Sequence, residues 1–128
     1  MICVKTKVAP STIQGLGWFA DEFIPKGTVV WRFVSGFDVA MSATEFDGLP
    51  QQAKDFMSTY AYRSTKTDRY ILCSDDAKYS NHSDAPNLDC VYPESEEEVV
   101  CVANRDIQPG EELTSDYSTF EKDWDGVP

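Results

Sequence analysis

The sequence predicts a small, mainly β domain that carries one short helical insertion. Short apolar stretches rich in β-branched and aromatic residues recur along the chain, and turns containing Gly or Pro separate them. The chain has 128 residues, a length that suits one domain with one modest hydrophobic core. We therefore expect residues 1–128 to form a single domain.

Strand signals are spread from the beginning of the chain to its end. "ICVKTKV" alternates apolar and polar side chains, as a half-buried strand does. "GTVVWRFV" is a richer β stretch that follows a turn at Pro25-Lys26-Gly27. Further strands are predicted at "RYILCS", "LDCVY" and "VVCVANR", and "EELTSDY" follows a turn at Pro109-Gly110. The charged "PESEEE" is predicted to be a solvated hairpin loop.

Helical signals cluster in the middle of the chain. Ser42 and Glu45 in "SATE" have the spacing of a capping box, in which Ser42 is the N-cap and Glu45 reaches back to it. "PQQAKDFMSTY" is predicted to be a short helix with Pro50 in its first turn. Together these two segments form the predicted helical insertion.

The charge of the chain constrains its partners. A net charge of −11 argues against direct binding to nucleic acid, whose phosphates would be repelled, and is compatible with a basic protein or lysine-rich peptide. No stretch approaches the ~18 consecutive apolar residues of a membrane span, and the first residues lack a signal-peptide pattern. We expect an intracellular protein, cytoplasmic or nuclear, that does not insert into a membrane.

The four cysteines are Cys3, Cys73, Cys90 and Cys101, and none of them forms a C-x-x-C pair. Structural zinc sites usually take their ligands from such pairs, so we expect no metal site. Disulfides are rare in intracellular proteins, so none is expected. Cys90 and Cys101 lie in apolar strand-like stretches, where a free cysteine behaves as a small core hydrophobe.

Two short motifs suggest a dinucleotide-binding protein and a hydrolase, but the rest of the sequence supports neither prediction. "GLGWFA" at 15–20 matches the dinucleotide fingerprint G-x-G-x-x-G/A, and Asp38 follows at about the right distance. The turn at 24–27 leaves no room for the helix that would hold a pyrophosphate. Ser83 beside His82 suggests a hydrolase, but no nucleophile-elbow sequence is present.

The loop "KYSNHSDAPNL" at 78–88 concentrates compact hydrogen-bonding groups around the only histidine, His82. Asn81 and Asn87 each donate and accept hydrogen bonds, and such side chains stabilise irregular backbone or bind the edge of a purine-like ring. Pro86 restricts Ala85 to extended conformations and stiffens the loop. A lone histidine is more often structural than chemical, so the loop alone does not decide between these roles.

Three motifs, in order, resemble those of the SET domain of protein lysine methyltransferases. They are G-x-G-W at 15–18, N-H-S-x-x-P-N at 81–87 and E-E-L-T-x-D-Y at 111–117, and "IPKGTVV" and "VANRDIQPGEELTSDY" resemble the stretches that connect them. The resemblance covers nearly the whole chain. It implies a β-clip-like arrangement of small curved sheets with a knot-like crossing, in which the segment 79–87 and the C-terminal segment pass close together.

The resemblance also implies S-adenosylmethionine as the methyl donor and Tyr117 as the catalytic residue. The Tyr117 hydroxyl would orient the methyl group and the incoming lysine amine. Asn81 would bind the amino-acid part of the donor, and the His82 backbone would meet the adenine. Phe120 and Trp124 would close over the donor or the channel, although Trp124 is equally expected to anchor the tail by packing. The implied donor-binding residues are Leu16, Gly17, Trp18, Tyr79, Asn81, His82, Tyr117, Phe120 and Trp124.

The channel for the substrate lysine is implied at Phe33, Tyr60, Tyr62 and Ser115, although packing in the core is an equally good expectation for Tyr60 and Tyr62. Ser115 stands where the family often has Phe or Tyr. A smaller side chain leaves room there for additional methyl groups or for a water molecule, so the sequence leaves open mono-, di- or trimethylation.

Two departures from the family pattern concern zinc and closure of the site. Many relatives have a cysteine after N-H-S and a cysteine-rich tail that together bind zinc, whereas Asp84 takes the first place here and the printed sequence ends at Pro128 without that tail. The resemblance therefore implies no zinc. It also implies that residues 118–128 or a partner subunit, as in a homodimer, close the site.

The sequence favours a lysine methyltransferase that acts on a basic protein such as a histone or a histone-like protein. One alternative is a SET-like domain that binds the donor or a peptide without turnover. The other is a methyltransferase whose target is not lysine.

Overall fold

The computed structural model describes residues 1–122 and 124. In chain order, the strands are β1 (Thr6–Pro10), β2 (Leu16–Ala20), β3 (Val29–Arg32), β4 (Val39–Met41), β5 (Tyr62–Arg63), β6 (Tyr70–Leu72), β7 (Asn81–His82), β8 (Leu88–Val91), β9 (Val100–Ala103) and β10 (Thr114–Ser115). The helices are α1 (Ala43–Asp47) and α2 (Gln51–Tyr60), with 3-10 turns at Asp76–Tyr79 and Tyr117–Thr119.

These strands form small separate sheets, which confirms the predicted mainly β fold. Strands β1 and β2 form an antiparallel hairpin, β3-β9-β8 and β4-β6-β5 are three-stranded sheets, and β7 pairs with β10 in parallel. Among the described residues, no helix is long and apolar enough to cross a membrane.

The helical insertion is confirmed and consists of two helices. The Ser42 Oγ accepts a hydrogen bond from the Glu45 N–H, and the Glu45 carboxylate accepts one from the Ser42 N–H, both at 3.1 Å. These bonds form the predicted capping box and lower the pKa of Glu45. Helix α2 follows directly after Pro50 and turns Met57 into the core.

Two similar stretches, "FIPKGTVV" and "DIQPGEEL", lie against each other and join the two halves of the chain. Ile24 and Ile107 are both buried and exchange backbone hydrogen bonds of 2.9 and 2.8 Å. The turns that follow end in Gly27 and Gly110, whose φ angles of 89° and 90° lie in the left-handed region that favours glycine. The hydrophobic core packs around this junction and includes Trp18, Ile24, Val30, Ile71, Leu88, Ile107 and Leu113.

Cys90 and Cys101 are joined in a disulfide, so the prediction that all cysteines are free is wrong for this pair. Strands β8 and β9 are antiparallel, and their register places the two cysteines directly opposite each other with a Cα–Cα distance of 4.2 Å. The expectation of free cysteines rested on an intracellular location, whereas the pairing is set by the hairpin register, which a single sequence does not reveal.

The acidic connection between β8 and β9 is not wholly solvated, which corrects the prediction for "PESEEE". Glu98 is only 1% exposed, and its carboxylate accepts hydrogen bonds from the hydroxyls of Thr67 at 2.8 Å and Ser64 at 3.3 Å. These bonds offset the desolvation of the carboxylate. They also attach the turn between β5 and β6 to the acidic loop.

The C-terminal strand crosses the loop at 81–87 and is fixed there by Asn87. Asn87 is only 2% exposed. Its side-chain amide accepts a hydrogen bond from the Thr114 N–H at 2.9 Å and donates one to the Glu112 carbonyl at 2.8 Å. Strand β10 also pairs directly with β7. The crossing therefore brings the asparagine-histidine loop and the Asp-Tyr segment together.

Candidate active site

A cavity of about 320 Å³ lies at this crossing, a volume within the usual range of small-molecule sites. Its wall is built by the beginning of β2, the end of α2, the 3-10 turn at Asp76–Tyr79, β7 and the C-terminal segment. Of the residues that the sequence places at a site, the following lie on the wall: Leu16, Trp18, Tyr60, Tyr62, Tyr79, Asn81, Ser115, Tyr117 and Phe120.

Strand β2 contributes one side of the cavity. Trp18 is 2% exposed, and its indole N–H has no hydrogen-bond partner among the described residues, so a buried donor is available at the wall. Gly17 is not on the wall. A Cβ at Gly17 would lie 2.5 Å from Oε2 of Glu112, so a larger residue there would have to displace that carboxylate.

Asn81 presents its amide in one defined orientation. Its Nδ2 faces three acceptors, at 2.8 Å from the Glu112 carboxylate, 3.2 Å from the Leu16 carbonyl and 3.3 Å from the Gln14 carbonyl. Because oxygen acceptors occupy that side, the nitrogen must face it. No described residue donates to Oδ1, so this oxygen is available to an N–H donor of a ligand.

His82 lies behind the wall and supports Tyr117. Its Nδ1 accepts a hydrogen bond from the Tyr117 backbone N–H at 3.1 Å, so in the neutral ring the proton is on Nε2, which lies 2.9 Å from the Asp84 carboxylate. The imidazole centroid is 5.3 Å from that of Tyr117 and 4.6 Å from that of Trp124. His82 therefore links β7 to the C-terminal segment through its side chain.

The Tyr117 hydroxyl donates a hydrogen bond to the Ser80 carbonyl at the cavity wall. Burial, with smaller contributions from the carboxylates of Glu121 and Glu112, raises the pKa of Tyr117 to about 12. The hydroxyl is therefore protonated at neutral pH. With its proton directed to Ser80, its oxygen lone pairs remain available as acceptors.

Aromatic residues of the C-terminal segment cover the site. Phe120 is on the wall, where its ring meets Tyr62 edge-on at a centroid distance of 5.0 Å, and its carbonyl accepts from the Tyr92 hydroxyl at 3.3 Å. Trp124 lies outside the wall, with its ring 5.0 Å from Tyr117. Of the segment 118–128 expected to close the site, residues 123 and 125–128 lie outside the described part.

Three of the four predicted channel residues reach the cavity. Tyr60, Tyr62 and Ser115 are on the wall, whereas Phe33 is not and packs in the core with the Arg69 guanidinium 5.9 Å from its ring centroid. The Tyr62 hydroxyl has no hydrogen-bond partner among the described residues. Burial raises its pKa well above the usual value for tyrosine, so it is a neutral hydroxyl.

Several wall residues were not singled out from the sequence. Lys78 has its ammonium 4.8 Å from the Tyr79 ring centroid and forms no ion pair with any carboxylate among the described residues. The Trp31 indole N–H, like that of Trp18, is buried without a partner there. Glu112, which contacts Asn81 from outside the wall, was also not singled out, because nothing in "EEL" distinguishes it from Glu111 before the register is known.

The unpaired polar groups at the wall have the hydrogen-bonding character and charge that S-adenosylmethionine requires. The free Asn81 Oδ1 suits its ammonium group, the Lys78 ammonium suits its carboxylate, and the buried indole N–H of Trp18 is one further donor. In the described part of the chain, no group of three or more His, Cys, Asp or Glu side chains could hold a metal ion. The expected lack of zinc stays a prediction.

Comparison with known proteins identifies the family. The model of the SET domain matches residues 15–118, which contain all three motifs and almost every wall residue, and the chain therefore belongs to the SET domain family. A crystal structure of the Plasmodium falciparum protein PFL0690c has the same fold, with a TM-score of 0.60, 22% identity and coverage of 91% of this chain and 95% of that one.

Several histone-lysine methyltransferases are similar in sequence. Human histone-lysine N-methyltransferase 2D is 29% identical over 94% of this chain, and the H3 lysine-4 specific histone-lysine N-methyltransferase of Schizosaccharomyces pombe is 30% identical over 93%. Arabidopsis thaliana histone-lysine N-methyltransferase ATXR6 is 29% identical over 95%. The chain spans only 2%, 13% and 38% of the lengths of these three proteins.

Proposed function

We propose that this chain is a protein-lysine methyltransferase that uses S-adenosylmethionine and acts on a basic protein such as a histone or histone-like protein. The observation that carries the proposal is the Tyr117 hydroxyl, which is partly buried, protonated and oriented by Ser80 at the wall of a cavity lined by the family's motifs. The similarity to several histone-lysine methyltransferases supports the same activity.

Leu16, Trp18, Asn81 and Phe120 on the cavity wall would hold the donor, and the Lys78 ammonium would pair with the donor's carboxylate. When bound, it supplies an electrophilic methyl group on a positively charged sulfur. Asn81 would accept a hydrogen bond from the donor's ammonium through Oδ1, and the rings of Tyr62 and Phe120 would exclude water from one side. His82 and Gly17 lie behind the wall, where they support the residues that form it.

Tyr117 contributes position rather than proton transfer. Because its proton is engaged by the Ser80 carbonyl, its oxygen accepts from the incoming lysine amine and aligns it for in-line displacement. The lysine must arrive neutral, and the apolar rings of Tyr62 and Phe120 lower its pKa by excluding water from the ammonium form. Ser115 lies beside this path and is small.

The substrate is a basic protein because the net charge of −11 attracts lysine-rich segments at low and moderate ionic strength. We propose an intracellular site of action, and a homodimer remains a candidate assembly. The whole of residues 1–128 is proposed to be one SET domain. Strand β1 lies before the matched region but pairs with β2, which lies within it.

The proposal is tested by incubating the purified chain with methyl-labelled S-adenosylmethionine and a panel of histones and other basic proteins. Mass spectrometry of labelled products should find methyl groups on lysine side chains. Label on another residue type would support the alternative of a different target. Donor binding in calorimetry without label on any protein would support a SET-like domain without turnover, and an Asn81→Ala control should lose that binding.

A further inference from the structure

Glu112 is bonded by both asparagines of the loop at 81–87. Asn81 Nδ2 donates to the Glu112 carboxylate at 2.8 Å, and Asn87 Nδ2 donates to its backbone carbonyl at 2.8 Å. The side chain and the backbone of one residue thus hold the two ends of the family's N-H-S-x-x-P-N motif. Glu112 itself is not on the cavity wall, so it acts on the site through these bonds.

The same carboxylate fixes the loop that precedes β2. The Ser11 hydroxyl lies 2.7 Å from Oε1 and 2.9 Å from Oε2 of Glu112, and the Ser11 N–H donates to the Gly15 carbonyl at 2.8 Å. Glu112 also lies directly against Gly17, where an added Cβ would approach Oε2 to 2.5 Å. The Glu112 carboxylate therefore contacts both the segment at 11–17 and Asn81 of the loop at 81–87.

We infer that Glu112 is a positioning residue that sets the amide orientation of Asn81 and so determines which Asn81 atom meets the donor. A carboxylate only accepts hydrogen bonds, and with the carbonyls of Leu16 and Gln14 it surrounds one side of the amide with acceptors. Asn81 Nδ2 must occupy that side, which leaves Oδ1 for the donor's ammonium group. This inference rests on the proposed function.

Removing the acceptor should weaken binding of the amino-acid part of the donor and leave the nucleoside part unaffected. Glu112→Met keeps approximately the length of the side chain and removes both acceptor oxygens. We expect binding of S-adenosylhomocysteine to weaken about tenfold, which corresponds to the loss of one charge-assisted hydrogen bond. We expect binding of 5′-methylthioadenosine, which lacks the amino-acid part, to change less than about threefold.

Two further variants separate positioning from folding. Glu112→Gln keeps one acceptor oxygen for Asn81 and an amide that can donate to Ser11, so it should restore most of the S-adenosylhomocysteine affinity. Gly17→Ala retains every polar group but displaces the carboxylate, so it should reproduce the selective loss even if Glu112→Met does not fold. Glu111→Gln, at the adjacent and more peripheral carboxylate, is the matched control and should bind both compounds normally.

The experiment is calorimetric titration of the full chain and each variant with the two compounds separately. A loss confined to S-adenosylhomocysteine in Glu112→Met or Gly17→Ala supports the inference. Equal losses for both compounds, or no loss, overturn it and leave the proposed function intact. Failure of the unaltered chain to bind either compound overturns the proposed function and this inference with it.

Discussion

The backbone N–H of Tyr117 donates to Nδ1 of His82 at 3.1 Å, which ties the catalytic tyrosine proposed for the C-terminal segment to the loop at 81–87. His82 lies next to Asn81, so the two motif segments are connected by a side chain as well as by the β7–β10 pairing. This explains how an irregular segment of only a few residues holds the Tyr117 hydroxyl in place.

Replacing His82 with Phe tests this connection. The substitution preserves a ring against Tyr117 and Trp124 but removes the acceptor for the Tyr117 N–H. We expect kcat to fall about tenfold or more, since small displacements of reacting groups are costly, with a smaller change in donor affinity. Steady-state kinetics measures kcat, and calorimetry measures the donor affinity of the same variant.

Asp84→Asn provides the control for His82→Phe, because the Asp84 side chain is 99% exposed and contacts the opposite nitrogen of the ring. Its kcat should stay close to that of the unaltered chain. If the two variants were equally impaired, the Tyr117 N–H bond would not be the feature that matters.

Asn87 should contribute strongly to stability. Asn87→Ala leaves the Thr114 N–H without its acceptor and the Glu112 carbonyl without its donor, in a place that is 2% exposed. An unsatisfied buried group costs about 1–3 kcal/mol, so we expect the free energy of unfolding to fall by about 2–3 kcal/mol. Urea unfolding followed by circular dichroism measures it.

Asn104→Ala is the matched comparison for Asn87→Ala. The Asn104 amide also makes two hydrogen bonds, at 2.9 Å to the Pro86 carbonyl and at 3.0 Å to the Asp89 carboxylate, but in a more solvated place. Its loss should cost less than about 1 kcal/mol, because water replaces the missing partners. Equal effects of the two substitutions would contradict the role given to Asn87 at the crossing.

The rate of methyl transfer should rise with pH across the neutral range. The Tyr117 pKa of about 12 means that its hydroxyl stays protonated from about pH 6 to about pH 9 and contributes no change in rate there. The lysine amine reacts only when neutral, so its deprotonation controls the rate, with a slope of up to about tenfold per pH unit below its pKa. Single-turnover measurements would show this.

A rate that is flat over the same pH range, with chemistry shown to be limiting, would contradict this account of the amine. A rise that appeared only near pH 12 would instead implicate ionisation of Tyr117.

The cysteines provide a direct test of the β8–β9 register. Because Cys90 and Cys101 are joined, Cys3 and Cys73 are the free cysteines, and burial raises the pKa of the Cys73 thiol. We expect two cysteines to be alkylated in the unfolded, unreduced chain and four after reduction. Labelling of all four without reductant, measured as intact mass, would contradict the Cys90–Cys101 disulfide.

Much of the site follows from the sequence because its residues lie within three short motifs. The resemblance of these motifs to those of the SET domain implies that Asn81 and Tyr117 approach each other, and the crossing places both on one cavity wall. The capping box at Ser42 and Glu45, by contrast, is predicted by residue spacing alone, and the structure contains it. Local spacing carries such information directly.

Other features depend on register and packing, which a single sequence does not reveal. Glu111 and Glu112 are adjacent and identical, yet only Glu112 lies against Gly17 and Asn81. Glu98 lies in an acidic loop, but partners from the β5–β6 turn make its burial possible. Phe33 resembles a channel residue in sequence, yet it packs in the core away from the cavity wall.

The most direct test of the central claim compares donor binding and lysine methylation in the unaltered chain and in Tyr117→Phe. The substitution removes only the hydroxyl that Ser80 orients. We expect methyl transfer to histone lysines to fall about 100-fold or more while calorimetry shows donor affinity within about threefold of the unaltered chain. Methyl transfer at an unchanged rate in Tyr117→Phe would contradict the account, because the group proposed to align the lysine amine would then be dispensable.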